Sequence, residues 1–187
     1  VKASPATIEL IGKEWNHDPL KVYIKAPSDL APHVLAALND WSSALKTASR
    51  NTTAFNFEVV SSGKVADISI TVVKGAAAGV LGMTLVYDNN GDGYIDKVKV
   101  TVKAGLGLDF ADFRNVIRHE IGHALGLGHA DDPNDLMYPT YDTSAISKDI
   151  SPSTLDINAL LYIYSNDGFG LPNLPPREIP SSYSYTG

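Results

Sequence analysis

HEIGHALGLGH, residues 119–129, holds three of the five histidines in this 187-residue chain. His119 and His123 are four positions apart, so on a helix both imidazoles project from one face, close enough to bind a single ion. His129 reaches the same ion only if the helix stops and the chain turns back. Gly126 permits that turn, because glycine adopts positive φ without steric cost and often ends helices. The spacing therefore predicts a zinc site with three histidine ligands.

Glu120 follows the first of these histidines, so its side chain is rotated by about 100° from the histidine face. That places it beside the open side of the metal rather than bound to it, where a general base is needed. Zinc lowers the pKa of a bound water toward ~7, and Glu120 would take the proton and pass it to a leaving amine. The pattern favours peptide hydrolysis. The alternative is a non-catalytic zinc protein, a structural pin or adhesion module, whose site usually has four protein ligands.

The surrounding sequence predicts an α+β domain. Apolar residues recur at helical intervals after a candidate N-cap, Asp109, and continue through the histidine motif. Similar spacing predicts an N-terminal helix within 33–48 and a C-terminal helix within 153–164. Short runs rich in β-branched residues predict a twisted sheet of about five strands. These runs are 21–26, 55–60, 66–73, 83–87 and 94–102.

Composition limits the class of protein. The chain is 44% hydrophobic and 19% charged, as in an ordinary globular domain, and it has no run of the roughly 18 apolar residues that a membrane span needs. A net charge of −6 without a Lys/Arg cluster argues against nucleic-acid binding. Cysteine is absent, so disulfides and thiolate zinc ligands are excluded. Residues 171–187 are rich in Pro, Ser and Tyr, which predicts an extended tail or linker after a catalytic domain at 1–170.

The motif resembles that of the metzincin zinc peptidases, whose pattern is H-E-x-x-H-x-x-G-x-x-H, and DLMYPTY at 135–141 resembles the Met-turn of their matrixin branch, the matrix metalloproteinase-like peptidases. The resemblance implies the zincin-like fold and a metalloendopeptidase with one catalytic zinc ion. It also implies that Met137 is an apolar floor under the histidines, and that Pro139 and Tyr141 belong to the outer wall of the pocket for the residue after the scissile bond. Another metzincin branch is the enzymatic alternative.

GVLGMT, residues 79–84, resembles the strand that borders the matrixin cleft. The resemblance implies that an extended substrate pairs antiparallel with the backbone there, with Gly79, Val80, Leu81 and Gly82 as binding residues. It further implies protein or peptide substrates and an extracellular or cell-surface location. We expect a monomer.

A second motif, DNNGDG, resembles a metal loop in part. Asp88, Asn90 and Asp92 match the first half of a calcium loop, with Gly93 at the sharp turn. Lys99, however, occupies the place of the carboxylate that completes such a loop. Asn-Gly and Asp-Gly between two strand-like runs also predict a hairpin. A calcium site and a plain hairpin turn therefore both stay open.

Overall fold

The computed structural model describes residues 6–75, 79–105, 107–144, 146–164 and 182–186. None of the helices in these ranges is long and apolar enough to span a bilayer. The helices are α1 (Ala31–Ala48), α2 (Phe110–Leu125) and α3 (Thr154–Tyr164). The strands are β1 (Ile8–Leu10), β2 (Leu20–Lys25), β3 (Phe57–Val59), β4 (Ile68–Lys74), β5 (Gly82–Tyr87), β6 (Lys97–Ala104), β7 (Leu127–Ala130) and β8 (Ser182–Thr186).

The main sheet is mixed, in the order β3-β2-β4-β6-β5-β8. β3, β2, β4 and β6 are parallel, whereas β5 runs antiparallel to β6. The first five strands of this order are the five that the sequence predicts, so the predicted α+β class is confirmed. β8 lies within the predicted tail and pairs antiparallel with β5, from Met83 opposite Thr186 to Tyr87 opposite Ser182. Residues 165–181 and 187 lie outside the described residues.

Helices α1 and α2 cover one face of this sheet. Side chains alternate between the two faces of a strand, and in β5 the buried positions are Gly82, Thr84 and Val86. These positions face α2, which packs against β5 and β6. Trp41 of α1 is fully buried and donates its indole N–H to the carbonyl of Arg118 at 2.9 Å, which joins the two helices. The face of β5 toward α2 is therefore buried.

The sequence around α2 defines both of its ends. Asp109 caps the first turn through a reciprocal pair of hydrogen bonds with Asp112. The last turn ends at Gly126 in the left-handed conformation, at φ +118°, where a residue with a side chain would cost about 1–2 kcal/mol. The chain then reverses into β7, which pairs antiparallel with β1. The predicted cap at Asp109 and the predicted turn at Gly126 are both confirmed.

Helix α3 closes the domain behind α2. Ser153 and Asp156 form the predicted capping box at its first turn. At its last residue the Tyr164 hydroxyl is buried and donates to the carbonyl of Leu125 at 2.6 Å. This bond satisfies a carbonyl that the end of α2 would otherwise leave without a helical partner. The end of α2, where the chain turns toward His129, is therefore held by the Gly126 turn and by the hydroxyl of Tyr164.

Candidate metal centre

Three histidines from two elements meet at the end of α2. His119 and His123 come from the helix and His129 from β7, and one candidate ligand atom from each lies within 4.8 Å of the other two. The ring centroids are 4.7 Å apart for the two helical histidines, and 5.4 and 4.9 Å from those to the third. Among the residues described, it is the one group of three or more His, Cys, Asp or Glu that could hold a metal ion.

Backbone carbonyls set the tautomers of the two helical histidines. Nδ1 of His119 lies 2.8 Å from the carbonyl oxygen of Leu136, and Nδ1 of His123 lies 2.8 Å from that of Leu127. A carbonyl oxygen can only accept a hydrogen bond, so each Nδ1 carries the hydrogen and each Nε2 presents a lone pair. The two Nε2 atoms are 3.1 Å apart.

Burial keeps these rings neutral. It lowers the pKa of His119 to about 4, although the Leu136 carbonyl opposes the shift. Burial and then the neighbouring His119 lower the pKa of His123 well below its ordinary value, and burial lowers that of His129. Two neutral imidazoles then direct lone pairs at each other, which is repulsive unless a cation lies between them. Neutral imidazoles oriented by carbonyls are the ligands that zinc prefers, so the residues fit zinc.

Glu120 lies between α2 and β5. Its side chain is fully buried, and Oε2 lies 2.5 Å from the hydroxyl of Thr84. Burial raises the pKa of Glu120 to about 8, and the Thr84 bond opposes this shift. Oε1 is next to Gly82, where an added Cβ would lie only 2.6 Å away. The glutamate fits in this place because residue 82 has no side chain.

Met137 packs under α2. It is fully buried, and a Cβ on Gly122 would collide with its sulfur. The turn that holds it is fixed by Asp135, whose Oδ1 accepts the Met137 N–H at 2.8 Å. The same turn supplies the Leu136 carbonyl that orients His119. The turn therefore positions a histidine as well as filling space below the helix.

A cavity of about 340 Å³ opens beside His119, between α2 and the chain that follows Met137. Tyr141 forms part of its wall. The Tyr141 hydroxyl accepts from Asn115 Nδ2 at 2.9 Å and donates to Asp112 Oδ1 at 2.9 Å, so α2 fixes the ring. Of the residues predicted to bind substrate, two line this cavity, Leu81 and Tyr141, and four lie outside its lining, Gly79, Val80, Gly82 and Pro139.

The acidic hairpin between β5 and β6 has a different environment. The Asp88 carboxylate is fully buried, and its Oδ2 accepts a hydrogen bond from Lys13 Nζ at 2.6 Å. The backbone N–H groups of Asp92 and Gly93 also donate to Asp88. Asn90 Nδ2 donates to Asp92 Oδ2 at 3.1 Å. The ammonium group of Lys13 thus binds the buried carboxylate of the loop in which a calcium site and a plain hairpin turn were both open.

Two contacts at these sites have no signal in the sequence motifs. Thr84 precedes Glu120 by 36 positions and Lys13 precedes Asp88 by 75. The alternation of β5 does place Thr84 on the same face as Gly82, which is the one available hint. Nothing in the local pattern around Lys13 indicates its partner.

Comparisons with known proteins agree with this geometry. A family model described as Matrixin matches residues 14–165. The metalloendoproteinase 2-MMP of Arabidopsis thaliana is 33% identical over 140 residues, which cover 66% of this chain and 36% of that protein. Interstitial collagenase of Oryctolagus cuniculus is 34% identical over 131 residues, 61% of this chain and 25% of the collagenase. Human matrilysin is 44% identical over 52 residues, 27% of this chain and 18% of matrilysin. The matched segments thus cover about a third or less of each relative.

Proposed function

The chain belongs to the matrixin family, and on that premise we propose that it is a zinc-dependent endopeptidase that hydrolyses peptide bonds of proteins. The observation that carries the proposal is the pair of helical imidazoles, His119 and His123, whose Nε2 atoms face each other at 3.1 Å while carbonyls hold their Nδ1 hydrogens. His129 adds a third donor. The described residues supply three donors rather than four, which leaves room for water or a substrate oxygen and favours a catalytic over a structural zinc site.

Zinc bound there would supply a Lewis acid that polarises a carbonyl oxygen and acidifies water. The chain supplies the base. Glu120 is buried and directly follows His119 in α2, so its carboxylate form is favoured when a dication is held nearby. Glu120 would accept the proton of the attacking water on Oε1 and deliver it to the leaving amine.

Two features support an extended peptide as substrate. The cavity beside His119 can take one side chain of the peptide, with Leu81 and Tyr141 as its walls. The backbone of Gly79–Gly82 leads into β5 and offers a strand edge to which a peptide can add antiparallel. Pro139 follows the Met-turn methionine, and we assign it to the outer rim of the same groove. Protein substrates outside the cell are the targets that we propose.

Glu120→Gln tests the assignment. It removes the base while keeping the size of the side chain, so kcat for a peptide library should fall by about 100- to 10,000-fold. The zinc content should remain at that of the unmodified protein. Glu58→Gln, the same change at an exposed position of β3, is the matched control and should leave kcat unchanged. Full turnover by the Glu120→Gln protein, or turnover that survives removal of zinc by a chelator, would contradict the proposal.

A further inference from the structure

We propose that Thr84 is a positioning residue that anchors Oε2 of Glu120 and so reserves Oε1 for the reacting water. The inference rests on the proposed function, because it assigns a role to a neighbour of the general base. The Thr84 hydroxyl is fully buried and lies 2.5 Å from Oε2 of Glu120 and 3.2 Å from its backbone carbonyl. Oε1 is buried and has no hydrogen-bond partner among the described residues.

The two carboxylate oxygens therefore have unequal surroundings. Oε2 has a fixed donor, whereas Oε1 lies against the open backbone of Gly82, where even a methyl group would be within 2.6 Å. Gly82 and Thr84 are alternate residues on the face of β5 that is turned to α2. One provides space for the side chain of Glu120 and the other provides the donor that fixes its rotation.

A single hydroxyl hydrogen is sufficient for this role throughout the proton cycle. While Glu120 is a carboxylate, Thr84 donates to Oε2 in a charge-assisted hydrogen bond, which is stronger than a neutral one. When Oε1 has taken a proton from water, Oε2 is the carbonyl oxygen of the acid and still accepts the same bond. The carboxyl group therefore does not need to rotate between accepting and releasing the proton.

Removing the hydroxyl should affect the chemical step more than substrate binding. Without the Thr84 hydroxyl, buried Oε2 loses the side-chain donor that the described residues give it. The group can then rotate, so the fraction of molecules with a correctly aimed Oε1 falls. Loss of a group that orients a metal ligand typically costs about 10- to 100-fold in activity, and we expect the same range for a group that orients the base.

Three variants separate the effect of the hydroxyl from that of packing. Thr84→Val keeps the branched shape without the hydroxyl, while Thr84→Ser and Thr84→Ala share the loss of the methyl group and differ only in the hydroxyl. We expect kcat to fall about 10- to 100-fold in the Val and Ala proteins, with KM nearly unchanged, and to recover to within a few-fold of the unmodified protein in the Ser protein. Thr101→Val is the control, because Thr101 lies opposite Met83 on β6, on the other face of the sheet.

Several results would overturn the role of Thr84. Equal losses in the Ser and Ala proteins would assign the effect to packing, as would a rise in KM with kcat unchanged or a loss of bound zinc in the Val protein. Full kcat in both the Val and Ala proteins would show that Glu120 needs no anchor. If the unmodified protein shows no chelator-sensitive peptidase activity, the proposed function itself fails, which is a separate outcome.

Discussion

The histidine motif and the acidic hairpin at 88–96 both resemble metal sites in the sequence. In the structure they differ in whether the candidate ligand atoms are already bound by other groups of the protein. At the end of α2, carbonyl oxygens occupy the Nδ1 atoms and leave the Nε2 lone pairs aimed at each other. In the hairpin, the buried carboxylate of Asp88 is already bound by Lys13 and by two backbone N–H groups. A metal site thus depends less on the ligand types than on whether the fold leaves their lone pairs available.

The two regions also differ in how they balance buried charge. His119 and His123 are neutral imidazoles, because burial lowers their pKa. Burial raises the pKa of Asp88, but the hydrogen bonds from Lys13 and the hairpin backbone outweigh it, so the pKa of Asp88 is lowered and the carboxylate stays charged beside an ammonium. The histidine group is uncharged and can bind a cation. In the hairpin, by contrast, the charge of Asp88 is balanced by Lys13.

The largest effect is expected at the histidine region. His129→Ala removes one of the three proposed zinc donors, so we expect the protein to lose zinc under dialysis and all detectable peptidase activity with it. His17→Ala is the matched control, because His17 is exposed and outside the group, and it should keep zinc. Zinc contents measured after dialysis would decide the matter. Retention of a full equivalent of zinc by the His129→Ala protein would remove this histidine from the site.

A large effect on stability is expected at the hairpin. Lys13→Met leaves Asp88 charged and buried without its partner, so the free energy of unfolding should fall by about 3–5 kcal/mol. The double change Lys13→Met with Asp88→Asn removes both charges and should recover most of this loss. Urea denaturation measures both, and millimolar calcium should leave the unfolding free energy of the unmodified protein unchanged. Stabilisation by calcium would show that the loop binds this ion in spite of Lys13.

Asp156, another buried carboxyl, extends the comparison, because its charge is neutralised by a proton and not by an ammonium group. Burial, together with the carboxyl of Asp135, raises the pKa of Asp156 above its ordinary value of 3.8. The native protein therefore keeps a proton that the unfolded chain releases. The stability from this group is complete below that ordinary value and is lost as pH rises toward the raised native pKa.

Asp156→Asn tests this sign. The amide cannot titrate, so the unmodified protein should lose stability relative to the Asn protein as pH rises from 3.8 toward the raised native pKa. Urea denaturation of both zinc-loaded proteins across neutral and mildly alkaline pH gives the difference. Parallel curves would show that Asp156 is ionised in the folded protein.

The smallest effect is expected at β8. This strand pairs with β5 from Tyr87, which precedes the hairpin, to Met83, which follows Gly82 beside Glu120. A peptide that adds to this sheet edge would meet β8 where its own pairing extends past Gly82. Deleting residues 171–187 should therefore lower KM for long peptides by a few-fold and leave kcat unchanged. Short peptides that stop before Met83 are the control and should show no change. An unchanged KM for the long peptides would indicate that β8 does not compete with substrate.

Much of this fold can be predicted from local sequence. Helical periodicity and capping residues such as Asp109 and Ser153 define α2 and α3, because these signals act within one or two turns. Gly126 indicates the reversal for the same reason, since its conformation is a property of one residue. The three histidines follow from this local geometry, and that explains why the motif alone predicts their convergence.

The remaining features depend on contacts between distant parts of the chain. The pairs Thr84–Glu120 and Lys13–Asp88 require the register of β5 against α2 and the path of the N-terminal segment, which no local pattern encodes. β1 and β7 have three and four residues, too few to show a clear alternation, and the Ser-Tyr alternation of β8 follows a proline-rich stretch that indicates a linker. The ion pair of Asp88 could not be predicted from the sequence, because Lys13 lies 75 positions away.

X-ray absorption spectroscopy of the zinc-loaded protein tests the three-histidine centre most directly. We expect a zinc shell of three imidazole nitrogens and one oxygen donor from outside the chain, which a hydroxamate inhibitor displaces while all three imidazoles remain bound. A shell of four donors from the protein, or one with fewer than three imidazoles, would contradict the open site at His119, His123 and His129.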